Sequence, residues 1–304
     1  MKIQNRAKIC LCISIVIMLV AVVMSLTGHG INYGIDFAGG LNLQYDMGST
    51  YDKADVEEAL KAQGIEEFVV SSVGSEGTAV QIRVPTLSDE DEVQNLQNGL
   101  ETTLLEKYPN MDTDNATASY VGPVAGATLV RNAVFSVLIA AALMLIYIAF
   151  RFDLFSGIAA VVGLLHDVLI MISFMVILRS VIQMNSSFIA AMLTIVGYSI
   201  NNTIVIFDRI RENNKKPALA GQPRSEIVEL SVKESLGRTI NTTLTTLVTI
   251  VTLYILGVAS IREFSLPIII GILAGAYSAN LINGYVWAAL EDARLARKSQ
   301  KKAA

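Results

Sequence analysis

The chain has 304 residues, 53% of them hydrophobic and 16% charged, with a mean hydropathy of +0.52. That is too apolar for a soluble protein of this length and reads as an integral membrane protein. The net charge is −4, and the basic residues lie beside apolar runs, where they set topology or attract anionic lipid, so they give no ground for nucleic-acid binding.

Apolar runs long enough to cross the lipid bilayer as helices, about 20 residues each, occur at Ile9 to Leu26, Ala133 to Phe150, Phe155 to Leu178, Phe188 to Phe207, Ile240 to Leu256 and Phe264 to Leu290. They predict six spans. The first (residues 1–28 with its flanks) follows Lys2, Arg6 and Lys8 like the start of a signal peptide. Its apolar run is longer than such a segment carries and no A-x-A site follows, so it reads as an uncleaved anchor. Cys10 and Cys12 lie two apart on this helix, pointing to different sides, which suggests neither a metal pair nor a disulfide.

Residues 29–128 read as one small domain. "LNLQYDM" (Leu41 to Met47) alternates as a strand, and Tyr51 to Gly64 has helical spacing at Val56, Leu60 and Ile65. "FVVSSV" and "AVQIRV" flank the turn Gly74 to Gly77 as a hairpin. Ser88 to Tyr108 reads as a second helix capped by Ser88, with Asp91 in its first turn, and "TASYV" (Thr117 to Val121) as a last strand. The order β-α-β-β-α-β predicts a ferredoxin-like α+β fold. The domain has no cysteine and no Ser/His pairing, so an ordinary core must hold it and nothing in it suggests an enzyme. His29 at its edge reads as a solvated linker residue.

Spans two to four occupy 129–207, a charged connection 208–238, spans five and six 239–290, and a basic tail 291–304. Lys and Arg concentrate at the N-terminus, between Asp208 and Arg238, and in the tail, whereas the long connection carries acids such as Asp89, Glu90, Asp91 and Glu92. This bias places both termini in the cytoplasm and the α+β domain outside it. Within the connection, "PRSEIVELSVKESLG" (Pro223 to Gly237) reads as a short surface helix with Ile227, Leu230 and Leu236 on its apolar side. No inverted repeat is found, although a complete secondary transporter often has one; half a machine is the simpler reading.

Polar residues at membrane depth are functional candidates by default. His166 and Asp167 sit near the middle of span three. As neighbours they diverge by about 100 degrees around a helix, so a mutual ion pair is not expected, and Asp167 serves either ion movement or interhelical hydrogen bonding. "GYSINNTIVIFDRIREN" (Gly197 to Asn213) places Asn201 and Asn202 in span four, before the charges Asp208, Arg209, Arg211 and Glu212. Asn202 lies roughly 9 Å inside that boundary, at a depth where Arg238 of span five could approach it. Thr242, Thr245, Thr249 and Thr252 form one stripe, expected to make interhelical hydrogen bonds. In span six, Gly271, Gly275, Ala279 and Asn283 form a small-residue ridge suited to close packing within the chain. Tyr285 and Trp287 are expected at the inner interface.

Taken together, "GIDFAGG" (Gly34 to Gly40), "VGPVAG" (Val121 to Gly126), "RFD" (Arg151 to Asp153), "LLHDV" (Leu164 to Val168), "GYSINNTIVIFDRIREN" and "GRTINTTLTT" (Gly237 to Thr246) resemble the SecF family. Its members are the smaller membrane subunits of the SecD–SecF accessory complex of bacterial protein export. The resemblance covers nearly the whole chain in order. It implies a six-helix half of an RND-type transporter in the bacterial cytoplasmic membrane, pairing with SecD. The pair assists the SecYEG channel with SecA, moving a secreted preprotein with a proton or sodium gradient and no bound cofactor. The family's ion path falls on Asn202 and Arg238 in this chain, and here the sequence departs. The family's motif usually reads Asn-Asp where this chain has Asn201-Asn202. An amide donates and accepts hydrogen bonds but does not titrate. The resemblance then leaves two routes: a titrating acid on SecD with Arg238 as its counter-charge, which is favoured, or sodium held by oxygens of Asn202, Ser199 and Thr203. Two rival roles are a structural subunit without ion coupling and a small-molecule or lipid exporter of the wider RND superfamily.

Overall fold

The computed structural model describes residues 3–73, 77–85, 87 and 90–303. The chain divides into two compact units: one of Tyr33–Val134 with Gln183–Ser186, the other of Met1–Asn32, Phe135–Ile182 and Ser187–Ala304.

The first unit is the α+β domain. A short helix α2 (Ile35–Ala38) precedes β1 (Gly40–Asp46), α3 (Lys53–Ala62), β2 (Val69–Val73), β3 (Ala79–Val84), α4 (Glu90–Lys107) and β4 (Asp112–Val121). The sheet is antiparallel in the order β2-β3-β1-β4, the ferredoxin-like arrangement expected from the order of elements. Alternation decides its faces. Leu41, Leu43 and Tyr45 of β1 and Val80, Ile82 and Val84 of β3 are fully buried, in one core with Val56 and Leu60 of α3 and Leu100 and Leu104 of α4. The Tyr45 hydroxyl donates to Glu101 at 3.0 Å; burial, with Glu101 beside it, pushes this phenol upward from its usual range. Asp52, and not a serine, supplies the visible cap, accepting from the Ala54 N–H at 2.9 Å. The expected Ser88 cap and residues 74–76 of the hairpin turn lie outside the described residues. β4 starts at Asp112, earlier than its alternation suggests, because a register shift between Gln44 and Asp46 lets β1 pair with Asp112 as well.

The double-glycine end of "GIDFAGG" has a steric cause. Gly40 takes φ +112°, and a Cβ there would lie 2.4 Å from the Val84 carbonyl oxygen, so glycine alone fits. The motif also holds the segment Gln183–Ser186 of its own unit. Asp36 Oδ2 accepts from the Ser186 N–H at 2.7 Å, and the Gly34 N–H donates to Met184 O at 2.9 Å. A carboxylate is favourable at a helix N-terminus.

In the second unit, six helices among the described residues are long and apolar enough to cross a membrane. They belong to α1 (Ile3–Leu26), α5 (Pro123–Arg151), α6 (Leu154–Ile177), α7 (Ser186–Asn213), α8 (Arg224–Leu256) and a last span made of α9 (Ala259–Ser278), a π-helical turn (Ala279–Asn283) and α10 (Gly284–Ala303). Two features differ from the sequence reading. The expected surface helix is no separate element, because Arg224 to Leu256 runs as one helix with Gly237 inside it. Of its expected apolar side Ile227 is buried, Leu230 half-buried and Leu236 exposed, because the buried face is the i, i+4 stripe Ile227, Ser231, Ser235, Thr239 and Thr243, with Val228 and Val232 beside it. Trp287 is buried inside the bundle and not at a lipid interface.

Burial is uneven. About half or more of the spanning residues of α6, α7 and the last span are buried (56%, 50% and 61%), against 6% for α5 and for α8. Inner helices therefore carry the core, while α5 and α8 present wide apolar faces that none of the described residues covers.

Candidate polar site inside the membrane

α6 brings His166 and Asp167 to the middle of the bundle, where Asp167 is 0% exposed. A carboxylate there must find donors or neutralise. Asp167 finds three: His166 Nδ1 at 2.9 Å on Oδ1, and on Oδ2 the hydroxyls of Ser199 of α7 at 2.5 Å and Ser278 of α9 at 3.0 Å. With Asp167 as a carboxylate, Nδ1 carries the hydrogen. The other ring nitrogen, Nε2, faces Ser14 Oγ of α1 at 2.9 Å and the Tyr277 hydroxyl of α9 at 2.5 Å, and these two hydroxyls also meet each other. Four spans thus converge on one acid and one base. Gly275 makes room for this convergence, since a Cβ there would lie 3.0 Å from Ser199 Cβ and 3.4 Å from Asp167 Oδ2. One turn before it, Gly271 does the same against Ile195 and Met171.

A second polar layer continues along α7. The Thr203 hydroxyl donates to Ser199 O at 3.2 Å and accepts from Asn283 Nδ2 at 2.8 Å. Asn283 belongs to the π-helical turn, a local widening that aims side chains inward and is frequent at functional sites. Its amide sits over Gly163 of α6, where a Cβ would come within 2.0 Å of Oδ1. On the α8 side of the same turn, the Thr239 hydroxyl donates to Asn280 Oδ1 at 3.1 Å. Asn202 is 1% exposed, and its Nδ2, Asn283 Oδ1 and Thr243 Oγ1 are buried without a hydrogen-bond partner among the described residues, polar atoms of the kind that water or an ion satisfies. At the far end of α7, Arg209 pairs with Glu212 (2.6 Å) and with Glu234 of α8 (2.7 Å), and Asp208 with Arg211 (3.6 Å). Glu234 also accepts from Asn213 at 2.7 Å.

Known proteins decide the family. The family description "Protein export membrane protein SecD/SecF, C-terminal" matches residues 101–293, and "SecD/SecF GG Motif" matches residues 25–49. A protein translocase subunit SecF of Rickettsia bellii is 35% identical over 280 residues, covering 92% of this chain and 90% of the relative. The chain belongs to the SecD/SecF protein-export family. A protein translocase subunit SecDF of Bacillus subtilis is 34% identical, over 92% of this chain but 37% of its own length. The crystal structure of SecDF, a translocon-associated membrane protein from Thermus thermophilus, superposes with a TM-score of 0.79 at 32% identity, covering 95% of this chain and 38% of that one. By this kinship the chain is a SecF-type protein translocase subunit of a membrane.

Within that family frame, several expected site residues fall elsewhere than the sequence suggested. His166 and Asp167 do bond to each other. The 100° between neighbours fixes Cβ directions, whereas Nδ1 and the carboxylate oxygen each lie two bonds further out and bend together. Asn201 and Asn202 do not share a seam: Asn202 is buried and Asn201 exposed, facing a groove between α5 and α7 that is lined by Leu143, Tyr147, Gly197 and Ile200. Asn202 and Arg238 share a depth but not a contact. Tyr198 of α7 donates to Thr242 O of α8 at 3.3 Å, an antiparallel register that levels residue 202 with residue 238, yet Arg238 is exposed because its neighbour Thr239 holds the buried face. The Thr242, Thr245, Thr249 and Thr252 hydroxyls donate to carbonyls of their own helix, those of Arg238, Asn241, Thr245 and Val248, and not across helices. Back-bonding is the local alternative open to threonine in a helix.

Sequence reasoning missed Ser14, Tyr277, Ser278 and Asn280. The three in "AYSANLING" were visible as a polar insertion in the last span. Ser14, a lone serine in an anchor, carried no such signal.

Proposed function

We propose that the chain is one half of an ion-driven export motor, pairing with a SecD-type partner to promote translocation of a secreted preprotein. One observation carries the reading. Arg238 is exposed at the depth of the buried Asn202, on a helix whose face this chain leaves uncovered, and it makes no ion pair among the described residues. A permanent charge so placed in an apolar layer costs a few kcal/mol unless a partner answers it. The other half of a paired transporter, with an acid facing Arg238, meets that need. The SecDF relatives, in which a chain of this kind is joined to a longer one, support the pairing. The SecYEG channel with SecA is then the machine the pair assists, with both termini in the cytoplasm and the α+β domain on the outer side, where it engages the emerging chain.

Of the two ions we take the proton. Asn202 does not titrate, so the proton is carried by an acid on the SecD-type partner, with Arg238 as its counter-charge. The test replaces Arg238 by Ala and by Lys in membranes that also hold the SecD-type partner. Gradient-stimulated export of a reporter is expected to be lost with Ala and partly kept with Lys, at unchanged assembly. Equal export by all three forms would mean a structural subunit.

A further inference from the structure

We infer that His166 is a reversible proton-binding site inside the membrane, loaded and unloaded at Nε2, with Asp167 as its fixed counter-charge. Among the described residues, His166 and Asp167 are the only ones of the Asp, Glu, Lys, Arg and His types that are buried, and Asn202 has no titratable group. The hydrogen-bond pattern gives the two side chains different tasks. In the proposed site Asp167 is the carboxylate: the Ser199 and Ser278 hydroxyls donate to Oδ2, and His166 Nδ1–H donates to Oδ1 at 2.9 Å. His166 Nδ1–H is one of those donors, so Nδ1 is occupied in both states of the ring. Nε2 is the free position. It faces two hydroxyls, Ser14 and Tyr277, and a hydroxyl donates to a neutral imidazole nitrogen or accepts from a protonated one by turning about a single bond.

Loading is therefore local. A proton arriving from water forms a bond to the Nε2 lone pair, the ring gains +1 against the −1 of Asp167, and the Tyr277 hydroxyl turns from donor to acceptor, while Ser14, whose hydrogen goes to the Cys10 carbonyl, presents its oxygen as an acceptor. Unloading reverses each step. The pair alternates between one net negative charge and none, which is the change that a membrane field or a neighbouring helix senses. Ser14 is on α1 and Tyr277 on α9, so both states are read by helices other than the one that holds the ring.

Other titratable groups are few. On α1, Cys10 lies one turn before Ser14, whose hydroxyl donates to the Cys10 carbonyl at 3.0 Å. α7 and the π-helical turn offer Ser199 and Asn283, which do not titrate. On α10, Arg294 stacks on Phe155 at the start of α6 and pairs with Glu291 at 3.3 Å, three turns from His166. Asp167 thus sets the local charge alone.

The use of this proton in export rests on the ion-coupled reading above; its binding does not. The chain has two histidines, so the full-length His29→Gln variant in lipid bilayers, labelled with 15N-histidine, reports on His166 only. On lowering the pH through the range where histidine titrates, about 8 to 5, we expect Nδ1 to stay protonated throughout and Nε2 to pass reversibly from unprotonated to protonated. Asp167→Asn should displace that transition. If that variant does not assemble, Tyr277→Phe should displace the Nε2 transition while leaving the Nδ1 signal unchanged. An Nε2 signal that does not change over the range, or one indifferent to Tyr277→Phe, overturns the site. Export that loses its gradient dependence in wild type would instead overturn the motor reading and leave the titration standing.

Discussion

At the scale of single residues, the site is built by pairs of small and polar side chains. Gly163 leaves the space that the Asn283 amide fills, and Asn283 in turn holds Thr203. A methyl at 163 must displace that amide, so Gly163→Ala should lower the stability of the full chain in micelles by about 1–3 kcal/mol, read by denaturant unfolding. Asn283→Ala in the same chain should restore part of the loss, because the two changes share one contact. Equal stability of wild type and Gly163→Ala would show that the amide is not held there. The resemblance led to Asn202 and Arg238 as residues and, with the register, to their common depth. It did not reveal that they point to different sides, since neighbours such as Arg238 and Thr239 differ by 100° and only packing decides which one turns inward.

At the scale of elements, two links deserve measurement. In the α+β domain, Lys107 of α4 pairs with Asp55 (3.0 Å) and Glu58 (3.2 Å) of α3, and the Tyr108 hydroxyl donates to Asp55 at 2.6 Å. Tyr108 first, then Lys107, holds the Asp55 carboxyl below its ordinary range. A depressed carboxyl stabilises the folded form above about pH 4, the range of a free aspartate, and that contribution fades as pH falls through the lower folded value. Protection against hydrogen exchange at α3 and α4, taken relative to the intrinsic exchange rate at each pH, should therefore fall on acidification, and less so in Asp55→Asn, whose link is already gone; a variant with the wild-type acid response would contradict the assignment. In α8, Gly237 sits inside a helix with no atom within 4 Å of a would-be Cβ. Gly237→Ala should add up to about 1 kcal/mol of helix stability, seen as slower amide exchange around it, unless the glycine serves as a hinge, in which case export falls while exchange slows. The strands and helices of the α+β domain were legible because strand alternation and helical spacing are local signals. The continuity of α8 was not, since Pro223 marks where a helix starts while nothing in "ESLGRTIN" marks whether it stops.

At the scale of the whole molecule, inner helices pack around a buried acid–base pair, the outer helices α5 and α8 are largely bare, and Arg238 is exposed at the level of Asn202. Six spans and the family were readable from composition and motifs. The four-span convergence on Asp167 was not, because it joins Ser14 to residues more than 150 positions away, a distance no periodicity encodes. The most direct measurement is export of a secreted reporter into vesicles holding this chain and its SecD-type partner, with proton and sodium gradients set independently, for wild type and Arg238→Ala. The account predicts that wild-type export follows the proton gradient, ignores sodium, and loses that dependence in Arg238→Ala. Export that is indifferent to both gradients, and equal in the two forms, would contradict it.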